Sequence, residues 1–407
     1  MRDLDLVIQH TSRALLALRA ETAEQSLAEA FVKRFAALDA PGVDVFLTFL
    51  LNALGPDRSK IDAAIAAYQA TASEIEIADL ADVLESPRLT LFRRVNHTPE
   101  GISCLLDLRA ELLARRTTMP ELRPVERDLT HILTSWFNRG FLELRQLDWT
   151  TPAHILEKLI EYEAVHEIQG WSDLQRRLAP DRRAFGFFHP ALPDEPIIFV
   201  QVALTRGMAS SIQRLLSSEP APLDEDTDSA IFYSITNCQR GLAGISFGNF
   251  LIKRVTATLR AELPDLVTFA TLSPIPGFAK WLADAQANGS LAAIDPVDQN
   301  AMEAACAQYL VGARRGTLPL DPVARFHLRN GARVERLNWQ GDTSDKGTRE
   351  SHTLLVNYLY SGQDLEANHD ALVLDGVVIA SPTVVAAAGS HDRIDMVASA
   401  PEGLLSD

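Results

Sequence analysis

The stretch AIFYSITNCQRGLAGISFGNFLIKRV, residues 230–255, decides the fold class. From Ala230 to Asn237 it is apolar, aromatic or β-branched and reads as a buried strand. Gln239, Arg240, Gly241, Leu242, Ala243 and Gly244 follow, then Ile245, Ser246, Phe247, Gly248 and Asn249. From Phe247 to Leu263 the apolar residues take helical spacing. A strand that enters a helix through a glycine-rich turn is a building unit of an α/β domain. Such a turn also presents backbone N–H groups at the positive end of a helix, which is a geometry that holds phosphate, and its glycines leave room for the anion. The spacing matches neither the GxxxxGK[ST] loop nor the GxGxxG dinucleotide fingerprint. A tight turn without a ligand is the plain structural alternative.

Around this unit, strand-type and helix-type runs alternate from residue 141 onward. Strands are expected at Phe141–Leu147, Phe185–Phe188, Pro196–Thr205, Val267–Leu272 and Val323–Trp339. Helices are expected at Pro152–His166, Trp171–Leu178 and Met208–Ser217. Asp224, Glu225, Asp226 and Asp228 read as a solvated loop. Before Gly140 the pattern is helix after helix. Leu27, Phe31, Phe35 and Leu38 recur at helical steps, VDVFLTFLLNAL follows, and an alanine-rich run begins at Ala63. Breaks are expected at Pro41–Gly42, Gly55–Pro56 and Ser86–Pro87, with a last helix over Pro124–Asn138. With 407 residues, two domains are the natural division, here 1–140 and 141–407.

Composition bounds the function. A net charge of −16 argues against a duplex nucleic-acid binder. Cys104, Cys238 and Cys306 form no CxxC pair, and no HExxH or comparable cluster suggests a metal. The odd cysteine count suits a reducing compartment, with one intermolecular disulfide as the alternative. MRDLDLVIQH lacks the basic start and apolar run of a signal peptide, and Val43–Leu54 is too short to span a bilayer. A cytoplasmic protein without a membrane anchor is expected.

Two further segments carry candidate chemistry. In TLSPIPGF, residues 271–278, Ser273 sits between the end of an apolar strand and a stiff Pro–Ile–Pro–Gly exit that holds its hydroxyl in one orientation. Taken by itself, the segment reads first as a structural turn. In PVARFHLRNGARVERLNW, residues 322–339, alternation places Val323, Arg325 and His327 on one face of a strand, and Asn330–Gly331 suggests a hairpin turn. A lone strand histidine is more often structural than catalytic; His189 has the same standing with less support.

Taken together, EAVHEIQGWSDLQRRLAPDRR, FFHPALPDEPIIFVQVALT, IFYSITNCQRGLAGISFGNFLIKRV, FATLSPIPGFAKWL, PVARFHLRNGARVERLNW and GDTSDKGTRESHTLLVNYLY resemble the malonyl-coenzyme A decarboxylase family. They cover residues 163–360 in the family's order. The resemblance implies a two-domain α + α/β protein. A helical bundle that mediates homo-oligomer assembly precedes an acetyltransferase-like (GNAT-type) mixed-sheet catalytic domain. It also implies decarboxylation of malonyl-CoA to acetyl-CoA in fatty acid metabolism. Ser273 and His327 fall on the family's catalytic serine and histidine, and Ala243, Gly244, Ile245, Ser246, Phe247, Gly248 and Asn249 on its coenzyme loop. Arg240 and Lys253 are additional phosphate candidates. The thioester carbonyl is itself an electron sink, so neither a cofactor nor a metal is expected. His327 is expected to donate the proton, because an ordinary histidine holds both forms near neutrality, and Ser273 to orient the carboxylate or relay the proton. An acyl-CoA-dependent acyltransferase on the same fold is the alternative function, since fold does not fix chemistry.

Overall fold

A computed structural model describes residues 2–18, 23–217, 219–220, 223, 226–245 and 250–389. The chain divides into two compact units. The first comprises Met1–Leu142, His189–Pro193 and Gln239–Ser246; the second comprises Glu143–Phe188, Asp194–Cys238 and Phe247–Asp407.

The first unit is helical, with α1 (Arg2–Ala17), α2 (Glu24–Ala36), α3 (Ala40–Asn52), α4 (Arg58–Thr71), α5 (Glu74–Leu84), α6 (Pro87–Val95), α7 (Gly101–Ala114) and α8 (Arg123–Trp136). Its core is built from the apolar stripes of these helices, among them Leu15, Phe31, Phe46, Leu50, Phe92 and Leu105. Pro41 and Gly42 start α3 and do not break a helix: Asp39 caps it by accepting the Gly42 N–H at 2.9 Å, and a proline in the first turn lacks only an N–H that would have no partner there. Helices α4 and α5 pack on one another, yet neither contains a buried residue.

The second unit is a seven-stranded mixed sheet with helices around it. Its strands are β1 (Glu143–Leu147), β2 (Arg182–His189), β3 (Leu192–Thr205), β4 (Ser229–Asn237), β5 (Thr268–Thr271), β8 (Arg333–Asn338) and β9 (Leu355–Leu359); β6 (Arg314–Arg315) and β7 (Leu318–Pro319) form a separate small pair. The order across the sheet is β1-β2-β3-β4-β5-β9-β8. Strands β4 and β5 run parallel, with Ser229 opposite Thr268 and Phe232 opposite Thr271, while β9 is antiparallel to both β5 and β8. The helices are α9 (Ala153–Tyr162), α10 (Trp171–Arg177), α11 (Ile212–Ser217), α12 (Phe250–Glu262), α13 (Phe278–Ala287), α14 (Gln299–Gly312), α15 (Pro322–Arg329), α16 (Asp345–Ser351), α17 (Leu365–Asp375) and α18 (Pro382–Ala388). Leu156, Leu159 and Leu174 of α9 and α10 pack with Phe188 and Phe199 of the sheet; Ile212 and Leu215 of α11 pack with Ile231, Ala270 and Leu355. A helical region followed by a mixed-sheet region is the arrangement expected from the sequence.

One expectation is overturned. Residues 322–329 form helix α15 and not the first strand of a hairpin. Asp321 is its N-cap and Pro322 its first residue, a pairing that starts helices. Asn330 is the C-cap, and Gly331, at φ +85°, is the left-handed residue that ends the helix, so the Asn–Gly pair is a helix stop. Only Arg333–Asn338 is a strand. The expected helix over Pro152–His166 likewise stops at Tyr162, because the Glu163 side chain turns the chain by accepting the N–H groups of Val165 and His166.

Candidate active site

Ser273 is placed by the sheet. One residue beyond the Leu272 that follows β5, its N–H donates to the Val356 carbonyl at 2.9 Å and its carbonyl accepts from the Val356 N–H at 3.0 Å. The backbone of β9 thus grips the serine directly, and Pro274 and Pro276 stiffen the exit. His327 comes from the second turn of α15, where it shares a buried face with Ala324 and Leu328 at helical spacing.

Both side chains are 5% exposed, and Ser273 Oγ lies 3.2 Å from His327 Nε2. The other ring nitrogen, Nδ1, is 2.7 Å from the Tyr360 hydroxyl. The imidazole stacks on Tyr358, with ring centroids 4.7 Å apart, and meets Phe326 and Tyr360 edge-on. Ser273 Oγ donates to Thr271 Oγ1 at 2.8 Å, and Thr271 Oγ1 also accepts the Tyr358 N–H at 3.1 Å. The result is a buried line of hydroxyl, imidazole, hydroxyl and hydroxyl from Tyr360 to Thr271.

Burial decides the protonation of this line. Desolvation pulls the His327 pKa down to about 3, and it pushes the phenols of Tyr358 and Tyr360 well above their ordinary value. His327 is therefore neutral in the substrate-free site, contrary to the expectation of a histidine holding both forms near neutrality. A neutral imidazole has one N–H and one acceptor. With Ser273 donating to Thr271, the consistent arrangement has Tyr360 donating to Nδ1 and Nε2–H donating to Ser273 Oγ.

Gln239–Ser246 belongs to the first unit and Ser273 and His327 to the second. Residues 240–242 form a short turn in which Arg240 is exposed, and the N–H groups of Leu242, Ala243 and Ile245 bond to carbonyls within the loop. Gly241 is a glycine for packing: a Cβ there would lie 2.1 Å from the Leu106 carbonyl oxygen of α7, while Arg109 donates to the Gly241 carbonyl at 2.6 Å. Gly244 is exposed and has φ +76°, which favours glycine. Ser246, Phe247, Gly248 and Asn249 lie outside the described residues. His189 has a structural role, with Nε2 3.1 Å from the Trp136 carbonyl and its ring against Phe137.

Sequence reading missed Thr271, Tyr358 and Tyr360, although all three lie in segments it singled out. The signal was the alternation in LVNYLY, which points Tyr358 and Tyr360 to one side of β9. It also missed the Asp–Pro start of the helix that carries His327.

Comparison with known proteins adds the following. The family model described as Malonyl-CoA decarboxylase C-terminal domain matches residues 140–304 and 297–395, and Malonyl-CoA decarboxylase N-terminal domain matches residues 54–137. The mitochondrial malonyl-CoA decarboxylase of Anser anser anser is 34% identical over 328 residues, covering 69% of this chain and 65% of its own length. The Mus musculus protein of the same name is 36% identical over 317 residues, covering 66% and 64%. The chain thus spans slightly less than two thirds of these relatives. A solved structure of malonyl-CoA decarboxylase from Rhodopseudomonas palustris is 45% identical with a TM-score of 0.86, covering 93% of this chain and 98% of that one. Another from Agrobacterium vitis is 44% identical with a TM-score of 0.88, covering 94% and 99%.

Proposed function

Because the chain belongs to the malonyl-CoA decarboxylase family, we propose that it converts malonyl-CoA to acetyl-CoA and carbon dioxide, with the proton carried by Tyr360, His327 and Ser273. The observation that supports this most directly is the 3.2 Å approach of Ser273 Oγ to His327 Nε2, backed by Tyr360 on the far side of the ring.

The carboxylate C–C bond breaks, its electron pair enters the thioester, and carbon dioxide leaves an enolate of acetyl-CoA. The thioester is the electron sink, so the step needs no added cofactor. The enolate is basic enough to take a proton from a neutral hydroxyl, so a neutral His327 is no obstacle. Ser273 gives its proton to the α-carbon, His327 Nε2–H replaces it, and Tyr360 supplies Nδ1. One proton from solvent restores the line after acetyl-CoA leaves, which balances the single proton consumed per turnover. A buried, desolvated line favours each short transfer over exchange with water. Arg240, the Gly244 N–H, the segment 246–249 and Lys253 are proposed to hold the coenzyme pyrophosphate, through backbone donors and flanking cations.

The helical unit is proposed to assemble with copies of itself. In its α4–α5 pair, where no residue is fully buried, α5 displays Ile75 at 71% and Ile77 and Leu84 at 51% exposure, an apolar surface.

The test is carbon dioxide release from malonyl-CoA by the pure protein, with no cofactor and no acceptor. Loss of carbon dioxide in wild type and its disappearance in Ser273→Ala supports the reading. Turnover that requires an acceptor amine would make the protein an acyltransferase.

A further inference from the structure

We propose that the Asp321 carboxylate is a positioning residue for this reaction, fastening the loop that carries Ser273 to the helix that carries His327 with one oxygen for each. The inference rests on the decarboxylase reading above and adds a residue to its machinery.

Asp321 is 1% exposed. Its Oδ1 accepts the N–H groups of Val323 and Ala324, both at 2.9 Å, and so caps α15 two turns before His327. Its Oδ2 faces the other segment, accepting the Gly277 N–H at 3.4 Å and the Tyr309 hydroxyl at 3.3 Å. Between Gly277 and Ser273 stand only Pro274, Ile275 and Pro276, and the fixed φ of two prolines transmits a shift at Gly277 to the serine. Gly277 has an ordinary φ of −93°, so flexibility is not what requires glycine. Space is: a Cβ there would lie 2.1 Å from the Tyr309 hydroxyl oxygen. The glycine of SPIPGF lets the loop close onto the carboxylate.

Capping alone does not account for an aspartate. Asparagine and serine cap helices about as well and bury no charge. Burial pushes the Asp321 carboxyl up to about 6, so the charge is held against a cost. What asparagine cannot supply is a second acceptor. Its NH2 would face the Gly277 N–H, donor against donor.

Asp321→Asn therefore separates the two roles. The expected variant is folded, binds coenzyme A and keeps its KM, while kcat falls about 10²-fold, the scale of a small misplacement of reacting groups. An Asn variant with wild-type kcat overturns the proposal. Should that variant fail to fold, Tyr309→Phe decides: it removes one partner of Oδ2, a several-fold loss of kcat at unchanged KM supports the clamp, and unchanged kcat overturns it.

pH gives a second readout. Cys306 and Tyr309 from α14 and Tyr358 from β9 face this carboxylate. Burial holds the thiol and both phenols protonated, so Asp321 is the group that titrates among them. Its folded pKa lies above its unfolded value, so its contribution to stability rises as pH falls through about 6. The clamp loses an acceptor over the same range. Wild-type kcat should fall as this stability contribution rises, and both trends should vanish in Asp321→Asn; activity that follows stability overturns the proposal. The ring-proton resonance of His327 Nε2–H, sharp in wild type, should broaden in the Asn variant whether or not malonyl-CoA is the substrate. That measurement separates failure of the clamp from failure of the decarboxylase reading.

Discussion

Replacing Tyr360 with phenylalanine removes one oxygen and leaves the ring. The hydroxyl lies 2.7 Å from His327 Nδ1 in a site where both residues are 5% exposed, so no bulk water replaces it. The lost partner leaves Nδ1 buried and unsatisfied in either tautomer: as an acceptor without a donor, or as an N–H without an acceptor. A buried orphan of this kind costs about 1–3 kcal/mol. At about 1.4 kcal/mol per decade in rate, that converts to roughly 5- to 150-fold if the cost falls on the proton-transfer step. We expect kcat to fall about 10- to 100-fold, with KM within about threefold because Tyr360 is not assigned to hold the coenzyme. Initial rates of carbon dioxide release at saturating and limiting malonyl-CoA separate the two constants, and a thermal melt checks the fold. A folded Tyr360→Phe protein with wild-type kcat would refute the relay and leave Tyr360 a packing residue.

The substrate-free His327 should stay neutral from about pH 5 to 8, since burial pulls its pKa down to about 3. Nitrogen-15 NMR of labelled histidine should show one non-titrating Nε2–H ring, and a midpoint near 6.5 would contradict the burial argument. Gly241→Ala should destabilise the helical unit by about 1–3 kcal/mol in denaturant melts, since its Cβ would meet the Leu106 carbonyl at 2.1 Å. Gly244→Val should instead weaken coenzyme A binding, measured by calorimetry, and leave binding of a malonyl-pantetheine analogue unchanged; equal loss for both ligands would move the phosphate site elsewhere. Ile75→Lys on the exposed face of α5 should yield a smaller species by light scattering than wild type. A wild-type protein already monomeric at micromolar concentration would remove the assembly role.

Much of the molecule was legible along the chain. Helical periodicity with short breaks marked residues 1–138, and apolar β-branched runs marked β3, β4 and β5, because each element buries a face whose spacing is written locally. The motif around Ser273 was visible because proline and glycine fix backbone direction whatever surrounds them. The helix of His327 was misread because RFHLR satisfies both periods over so short a run; the Asp321–Pro322 start and Gly331 stop were the local evidence that outweighed alternation. Gly241 read as room for an anion and Gly277 as part of a stiff exit, yet each is small for the sake of a neighbour distant in sequence, Leu106 in one case and Tyr309 in the other.

What the sequence determined by itself was the succession of elements and the chemical kinds of residue available, for these follow from neighbours within a turn or a strand. Only the tertiary structure decided that β9 would lie antiparallel to β5, which brings Val356 against Ser273 and Tyr360 to the ring of His327. It alone decided the charge on that ring. The pKa of an imidazole depends on how much water the whole fold removes from around it, and no local pattern carries that quantity.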